Sequence, residues 1–145
     1  MLTKEILRIK GAALFTCPPE ESLEEAIGTM AELDIGSLVV MERGRLAGML
    51  TFREVLKALH EKGPAAAASL KASDVMVRDP EFVGPDMEID DLRRVMLDTH
   101  VRYMPVMDGN TLVGVLSFHD VARAVLEEQS FENRMLKAYI KDWPQ

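Results

Sequence analysis

Cysteine is almost absent from the sequence, and so are the residue patterns that most catalytic and metal sites need. The only cysteine, Cys17, cannot form an intrachain disulfide, and no basic neighbour lowers its pKa, so we expect a buried or bystander thiol. The three histidines, His60, His100 and His119, lack metal-ligand spacing with cysteine or carboxylates. No phosphate-binding glycine loop or nucleophile elbow is present. The sequence therefore predicts neither an enzyme nor a metal site.

Long apolar runs and an excess of positive charge are also lacking. The apolar runs are far shorter than the roughly 18 residues of a membrane span, and residues 1–11 lack the continuous apolar core of a signal peptide. We therefore expect a cytoplasmic protein with no membrane partner. The net charge of -7 disfavours a nucleic-acid partner, because such surfaces depend on lysine and arginine. A small anionic ligand stays open, since it needs only a few local cations.

A repeated unit fills most of the chain. Shifting the sequence by 66 residues aligns Pro19–Leu59 with Pro85–Val125 without a gap, and ten of the 41 positions are identical. The identical pairs are Pro19/Pro85, Met30/Met96, Val40/Val106, Met41/Met107, Leu46/Leu112, Gly48/Gly114, Leu50/Leu116, Phe52/Phe118, Val55/Val121 and Ala58/Ala124. Further pairs keep charge or hydroxyl, among them Thr51/Ser117 and Glu54/Asp120. The chain is therefore two copies of one unit.

Each unit is predicted to be helix, strand, strand, helix. In the first copy, Ser22 and Glu25 form a capping-box pattern before the first helix, Ile35–Met41 and Leu46–Leu50 are typical of strands, and a second helix begins near Thr51. The apolar helix positions are Leu23, Ala26, Ile27, Met30 and Leu33, then Phe52, Val55, Leu56 and Leu59. One unit alone buries too little apolar surface, so we expect the copies to pack about a pseudo-twofold axis.

We divide the chain into a first repeat at 7–61, a linker at 62–73, a second repeat at 74–126 and a helical extension at 127–145. The linker contains the breaker Gly63-Pro64 and then a four-alanine stretch expected to be helical. The segment Ala122–Trp143 has no glycine or proline before its end and keeps helical spacing. It carries more apolar surface than two repeats need, so it is predicted to pack against a partner. Folding back onto its own repeats is the alternative.

Both copies end on the pattern G-x-x-[ST]-x-x-[DE], and with the repeat this makes the sequence resemble the cystathionine β-synthase (CBS) domain family, in the paired form called a Bateman module. The resemblance covers roughly Leu7 to Leu126. It is carried by "ASDVMVRDP", by "VRYMPVMDGNTLVGVLSFHDV" and by its counterpart "IGSLVVMERGRLAGMLTFREV".

This resemblance implies an α+β fold with two helices on a small sheet in each copy and two clefts between the copies. Such clefts often bind adenine nucleotides or adenosyl compounds, here AMP, ADP, ATP, NAD or S-adenosylmethionine, while no cofactor is required. Members usually regulate and do not catalyse, and they commonly dimerise through their helices. We therefore expect a homodimer that includes the C-terminal helix, and an effector protein of unknown identity.

The pairs Ser117/Asp120 and Thr51/Glu54 allow two interpretations. At a strand-to-helix junction, hydroxyl and carboxylate can form a capping box. The same groups suit a nucleotide, since a helix N-terminus favours phosphate and a carboxylate can accept hydrogen bonds from ribose hydroxyls, as the family's aspartate does. Aspartate in the second copy favours the ribose clamp and glutamate in the first favours the cap. We predict one good site and one doubtful site.

Other candidate ligand residues are basic or apolar. Arg53 and His119 precede the two carboxylates, with solvent-exposed side chains as the alternative. Arg102 matches a basic family position, with a surface ion pair as the alternative, and His100 is a weaker candidate. The adenine pocket is expected from Phe82, Val83, Met104 and Pro105, although core packing is the alternative for each of them. The roles of Tyr103 and Thr16 stay open, and Val77 replaces a threonine frequent in the family.

Two functions from different classes follow. The first is a regulatory sensor of an adenine nucleotide, and the second is a ligand-free protein–protein interaction module in which both motifs are only helix caps. A nucleic-acid-binding pair is a weaker third, disfavoured by the acidic charge. Asp120→Ala discriminates between the first two, because it abolishes nucleotide binding only in the sensor.

Overall fold

The computed structural model describes residues 1–11 and 13–141, so the predicted end of the C-terminal helix at Trp143 lies outside the described residues. The helices are α1 (Thr3–Lys10), α2 (Leu23–Leu33), α3 (Phe52–Lys62), α4 (Ala72–Val75), α5 (Ile89–Thr99) and α6 (Phe118–Lys141). The strands are β1 (Thr16–Cys17), β2 (Ser37–Glu42), β3 (Arg45–Thr51), β4 (Val77–Arg78), β5 (Tyr103–Asp108) and β6 (Thr111–Ser117).

The two repeats have the same local structure. The hairpins β2–β3 and β5–β6 open at equivalent pairs, Ser37 with Thr51 and Tyr103 with Ser117. Both hairpins shift register after equivalent valines, Val40 and Val106. Each hairpin follows one helix and leads directly into another. The predicted helix-strand-strand-helix unit and the α+β fold are confirmed.

The two hairpins bury side chains on both faces, and the buried residues form three apolar clusters. One face of β2–β3 packs against α2 and α3, and the corresponding face of β5–β6 packs against α5 and α6. The opposite faces meet each other in a third cluster of Val39, Met49, Met107 and Leu112. The two repeats therefore pack through their sheets, with their helices outside.

The segment at the start of each repeat docks on the other repeat. At the start of the second repeat, β4 pairs antiparallel with β3, and Met76 lies where a side chain on Gly48 would be. At the start of the first repeat, α1 packs on β6 and α6, and Leu7 occupies the corresponding place at Gly114. These two glycines are needed because a Cβ at either position would overlap the crossing segment. The chain thus crosses between its two halves twice.

Some sequence expectations need correction. The four-alanine stretch forms only a 3-10 helix, Pro64–Ala68, because Gly63, at a φ of 85°, ends α3 and proline restarts the chain. The strand predicted from Ile35 is β2, which begins at Ser37, since Ile35 still donates its N–H to the Met30 carbonyl at the end of α2. Of the apolar face predicted for α3, Phe52 and Leu56 are exposed.

The C-terminal helix continues beyond the body of the molecule. Val121 and Ala124 on α6 are buried, whereas every described residue from 129 onward is exposed. Among the described residues, the tail therefore does not fold back onto its own repeats. None of the helices in residues 1–11 and 13–141 is both long and apolar enough to cross a membrane.

Candidate ligand-binding site

Asp120 and Ser117 form a reciprocal pair at the start of α6. The backbone N–H of Asp120 donates to Ser117 Oγ at 3.0 Å, and the backbone N–H of Ser117 donates to Asp120 Oδ2 at 2.8 Å. This is the capping geometry that the sequence allows. The proposed ribose clamp uses the same carboxylate and hydroxyl. The surroundings of Asp120 therefore decide whether it can also bind a ligand.

Lys10 supplies a cation to Asp120 that sequence reasoning did not identify. Its Nζ lies 2.7 Å from Asp120 Oδ2 and also donates to the carbonyl of Val115 at 2.7 Å. Lys10 is the last residue of α1, so the crossing of the chain brings it to the second repeat. The sequence could have identified Lys10 only through a prediction that α1 docks on the second repeat.

The electrostatic balance at Asp120 favours its ionised form. Partial burial by itself would raise the pKa of Asp120, but the hydrogen bonds from Lys10 and Ser117 outweigh it and lower the pKa below its usual value. The Asp120 side chain is 22% exposed and that of Lys10 is 38% exposed. The carboxylate is thus charged at neutral pH and still accessible to a ligand.

A cavity of about 330 Å³ lies beside this pair. Its lining residues are Ile6, Ile9, Lys10, Asp120, Arg123, Ala124 and Glu127. Arg123 pairs with Glu127 within the same helix at 3.3 Å. The volume is at the lower end of the roughly 300–1,000 Å³ typical of small-molecule sites. The cavity can therefore offer a carboxylate, an ammonium group and apolar contact from α1.

The equivalent carboxylate in the first repeat, Glu54, is satisfied by its own turn. Its Oε1 accepts the backbone N–H of Thr51 at 3.0 Å and the Thr51 hydroxyl at 2.8 Å. Within the described part of the chain, Glu54 forms no ion pair. The cavity beside it is larger, about 600 Å³, and Val77 from the other repeat lines it. The larger cavity favours a ligand site beside Glu54, whereas the ion pair with Lys10 favours one beside Asp120.

The predicted basic residues are all exposed. Arg53 and His119 lie in the first turns of α3 and α6, one residue before each carboxylate. Arg102 lies at the same hairpin end as Ser117, because its carbonyl accepts the N–H of Phe118 at 2.7 Å. His100 ends α5 in a left-handed conformation, with a φ of 58°.

The structure separates the four residues predicted for the adenine pocket. Val83 and Met104 are enclosed in the core of the second repeat, which is the core-packing alternative for both. Pro105 is buried, and its carbonyl accepts the N–H of Val83 at 3.1 Å. Phe82 is exposed and lines another cavity, of about 410 Å³, next to the hairpin turns. Side chains alternate between the two faces of β5, and the side chain of Met104 lies on the face that packs against α5 and α6.

Tyr103 and Thr16, which the sequence left open, and the cysteine have clear surroundings. The half-buried Tyr103 lies against Gly36, where a Cβ would overlap its hydroxyl. Thr16 is exposed and pairs with Val39 as part of β1. Cys17 is buried as expected, and burial, assisted by Glu21, raises its pKa to about 12.

Comparison with known proteins agrees on one family. The model of the CBS domain matches residues 6–61 and 72–127. The mitochondrial CBS domain-containing protein CBSX3 of Arabidopsis thaliana is 30% identical over 130 residues, which cover 86% of this chain and 63% of that protein. The chain therefore spans less than two thirds of this relative.

Two solved structures extend the likeness to the fold. A CBS-domain containing protein from Agrobacterium tumefaciens has a TM-score of 0.80 and 30% identity, over 86% of this chain and 98% of that one. The structure of CBSX2 in complex with AMP has a TM-score of 0.67 and 25% identity, over 79% of this chain and 89% of that one.

Proposed function

Because this chain belongs to the CBS domain family and contains a pair of such domains, we propose that it is a regulatory module that binds an adenine nucleotide beside Asp120. The observation that carries the proposal is the ionised, partly exposed Asp120 at the start of α6, with Lys10 and a cavity next to it. The AMP bound by the related CBSX2 supports adenine nucleotides as the ligand class. ADP, ATP, NAD and S-adenosylmethionine are further candidates.

The proposed binding mode uses the chemistry of each group. Asp120 accepts hydrogen bonds from the ribose hydroxyls, and the Ser117 side of the α6 N-terminus faces the phosphate. His119 and Arg102, both exposed near this end of β6, are the further phosphate candidates. In the first repeat Thr51, Glu54 and Arg53 form the doubtful second site. The ligand regulates, and no catalytic step is proposed.

Binding acts by changing the relative stability of conformations. A ligand shifts an equilibrium only as far as its affinities for the two states differ. Asp120 belongs to the second repeat and Lys10 to the segment entering the first, so a ligand at this pair contacts both halves of the chain. The response is passed to an effector protein or through a dimer.

We also propose that the chain forms a homodimer through its helices, including the projecting part of α6. From residue 129 onward, the exposed apolar residues include Phe131, Met135, Leu136 and Ile140. A second copy of this helix would cover these side chains. Light scattering on the full chain and on a chain ending at Glu128 tests this.

The ligand-free interaction module remains the second candidate function. The observation that favours it is the hydrogen bonding of both motifs: Glu54 and Asp120 each accept the backbone N–H of the residue that begins their turn. A pair of helix caps explains that geometry without a ligand.

A thermal-shift panel separates the two functions. Dialysed protein is heated with AMP, ADP, ATP, NAD or S-adenosylmethionine, alongside Asp120→Ala. A ligand that binds only the folded state adds about 2.7 kcal/mol at 100 times its Kd. The sensor predicts a higher Tm with at least one ligand, lost in Asp120→Ala. No increase with any ligand at millimolar concentration would favour the interaction module.

A further inference from the structure

We propose that Lys10 makes the Asp120 site selective for a phosphorylated adenosine over adenosine itself. This inference rests on the proposed function and names the ligand chemistry that the site prefers. It assigns to a residue outside both repeated motifs the role of a specificity determinant.

The fold holds Lys10 in place at the cavity. The Thr3 hydroxyl, fully buried, donates to the Met87 carbonyl at 2.8 Å, and the backbone N–H of Lys4 donates to the Pro85 carbonyl at 2.9 Å, so the start of α1 is fixed to the second repeat. Leu7 packs on Gly114 one turn before Lys10. The ammonium group is therefore positioned by a docked helix and is not a freely moving surface charge.

The donors of Lys10 leave room for a ligand. An ammonium group has three N–H donors, and Lys10 directs two of them to Asp120 Oδ2 and to the Val115 carbonyl. A carboxylate has about four acceptor positions, so Asp120 can take ribose hydroxyls while it still contacts Lys10. The third donor of Lys10 is then directed to a group carried by the same ligand.

The charges around the cavity favour an anion as that group. Arg123 is compensated by Glu127 on its own helix, whereas Asp120 is the one carboxylate that pairs with Lys10 among residues 1–11 and 13–141. When hydroxyl groups share the Asp120 carboxylate, the positive charge of Lys10 is less well compensated. A phosphate compensates the positive charge of Lys10, whereas a neutral nucleoside does not, and a sulfonium adds a second positive charge.

Calorimetric titration with AMP, adenosine and inorganic phosphate tests the inference. The proteins are the full chain, Lys10→Met, Lys10→Arg and the matched control Lys4→Met, which breaks another ion pair of α1 away from the cavity. We expect the preference for AMP over adenosine to decrease about tenfold in Lys10→Met, the effect of losing one charge-assisted hydrogen bond. Lys10→Arg and Lys4→Met should keep it, and circular dichroism checks that each variant is folded.

The possible results separate this inference from the proposed function. If Lys10→Met weakens AMP and adenosine equally, or neither, the inference is wrong while nucleotide binding stands. If inorganic phosphate alone binds the full chain as tightly as AMP, the site is a general anion site and the selectivity is overturned. If the unmodified chain binds neither AMP nor adenosine, the proposed function fails first.

Discussion

The first and second repeats contain the same motif on the same hairpin, yet the edge strand beside the motif is covered differently. In the first repeat, Met49 pairs through its backbone with Val77 of β4. In the second, the carbonyl of the equivalent Val115 accepts a hydrogen bond from the Lys10 side chain. A repeated sequence therefore does not produce two equal sites, because each site is completed by the segment that enters the other repeat.

The consequence is visible at the two carboxylates. Glu54 receives both of its hydrogen bonds from Thr51, whereas Asp120 also takes an external cation. The longer glutamate side chain reaches back to its own turn, as capping boxes require. The first repeat thus has a self-contained cap, and the second has a cap that is also an ion-pair site.

The largest expected effect tests the similarity of the two cores. Leu50 and Leu116 are equivalent and fully buried, so Leu50→Ala and Leu116→Ala should each lower the free energy of unfolding by about 2–5 kcal/mol. Urea denaturation followed by circular dichroism measures both. A difference of more than a factor of three between them would contradict the equivalence of the cores.

A smaller effect should distinguish the two crossing points. A Cβ on Gly48 would lie 2.9 Å from the Val77 carbonyl oxygen, whereas on Gly114 its three nearest neighbours would be side-chain atoms of Leu7, which can move. We expect Gly48→Ala to cost about 1–3 kcal/mol and Gly114→Ala less. Thermal unfolding of both variants measures the difference, and a larger loss in Gly114→Ala would be evidence against this packing.

The sequence predicts the elements well because their signals are local. The short apolar runs of β2–β3 and β5–β6, the helical spacing in α2, and the capping pattern at Ser117 depend on neighbouring residues. The crossing segments carry no local signal for where they dock, since β4 has two residues and α1 packs on β6 and α6, which are distant in sequence. Lys10 was missed because its partner is distant in sequence, and Met104 kept both the adenine pocket and the core as alternatives because motif spacing does not determine which face a strand residue occupies.

The two caps should differ when their hydroxyl groups are removed. Ser117 accepts the N–H of Asp120, so Ser117→Ala leaves an unpaired helix donor and should cost about 0.5–2 kcal/mol. The Thr51 hydroxyl donates to Glu54, which keeps its backbone hydrogen bond in Thr51→Val, so that loss should be smaller. Equal losses in chemical denaturation would show that the two motifs are the same kind of cap.

The smallest effect concerns pH. Because the pKa of Asp120 is lowered in the folded chain, its ion pair stabilises the fold above the usual value of 3.8 and this contribution is lost as pH falls through the folded pKa. At pH 7, Lys10→Met should cost about 1 kcal/mol or less, since both side chains are partly exposed. The difference from the unmodified chain should shrink below about pH 4. A difference that is unchanged at pH 3 would assign it to packing.

The most direct test of the unequal repeats is an AMP titration by calorimetry on the unmodified chain, Glu54→Gln and Asp120→Asn. Both substitutions remove a carboxylate charge with little change in shape, so they form a matched pair. We predict one AMP bound per chain, binding abolished in Asp120→Asn and unchanged in Glu54→Gln. Binding that survives in Asp120→Asn and is lost in Glu54→Gln would contradict it and transfer the site to the first repeat.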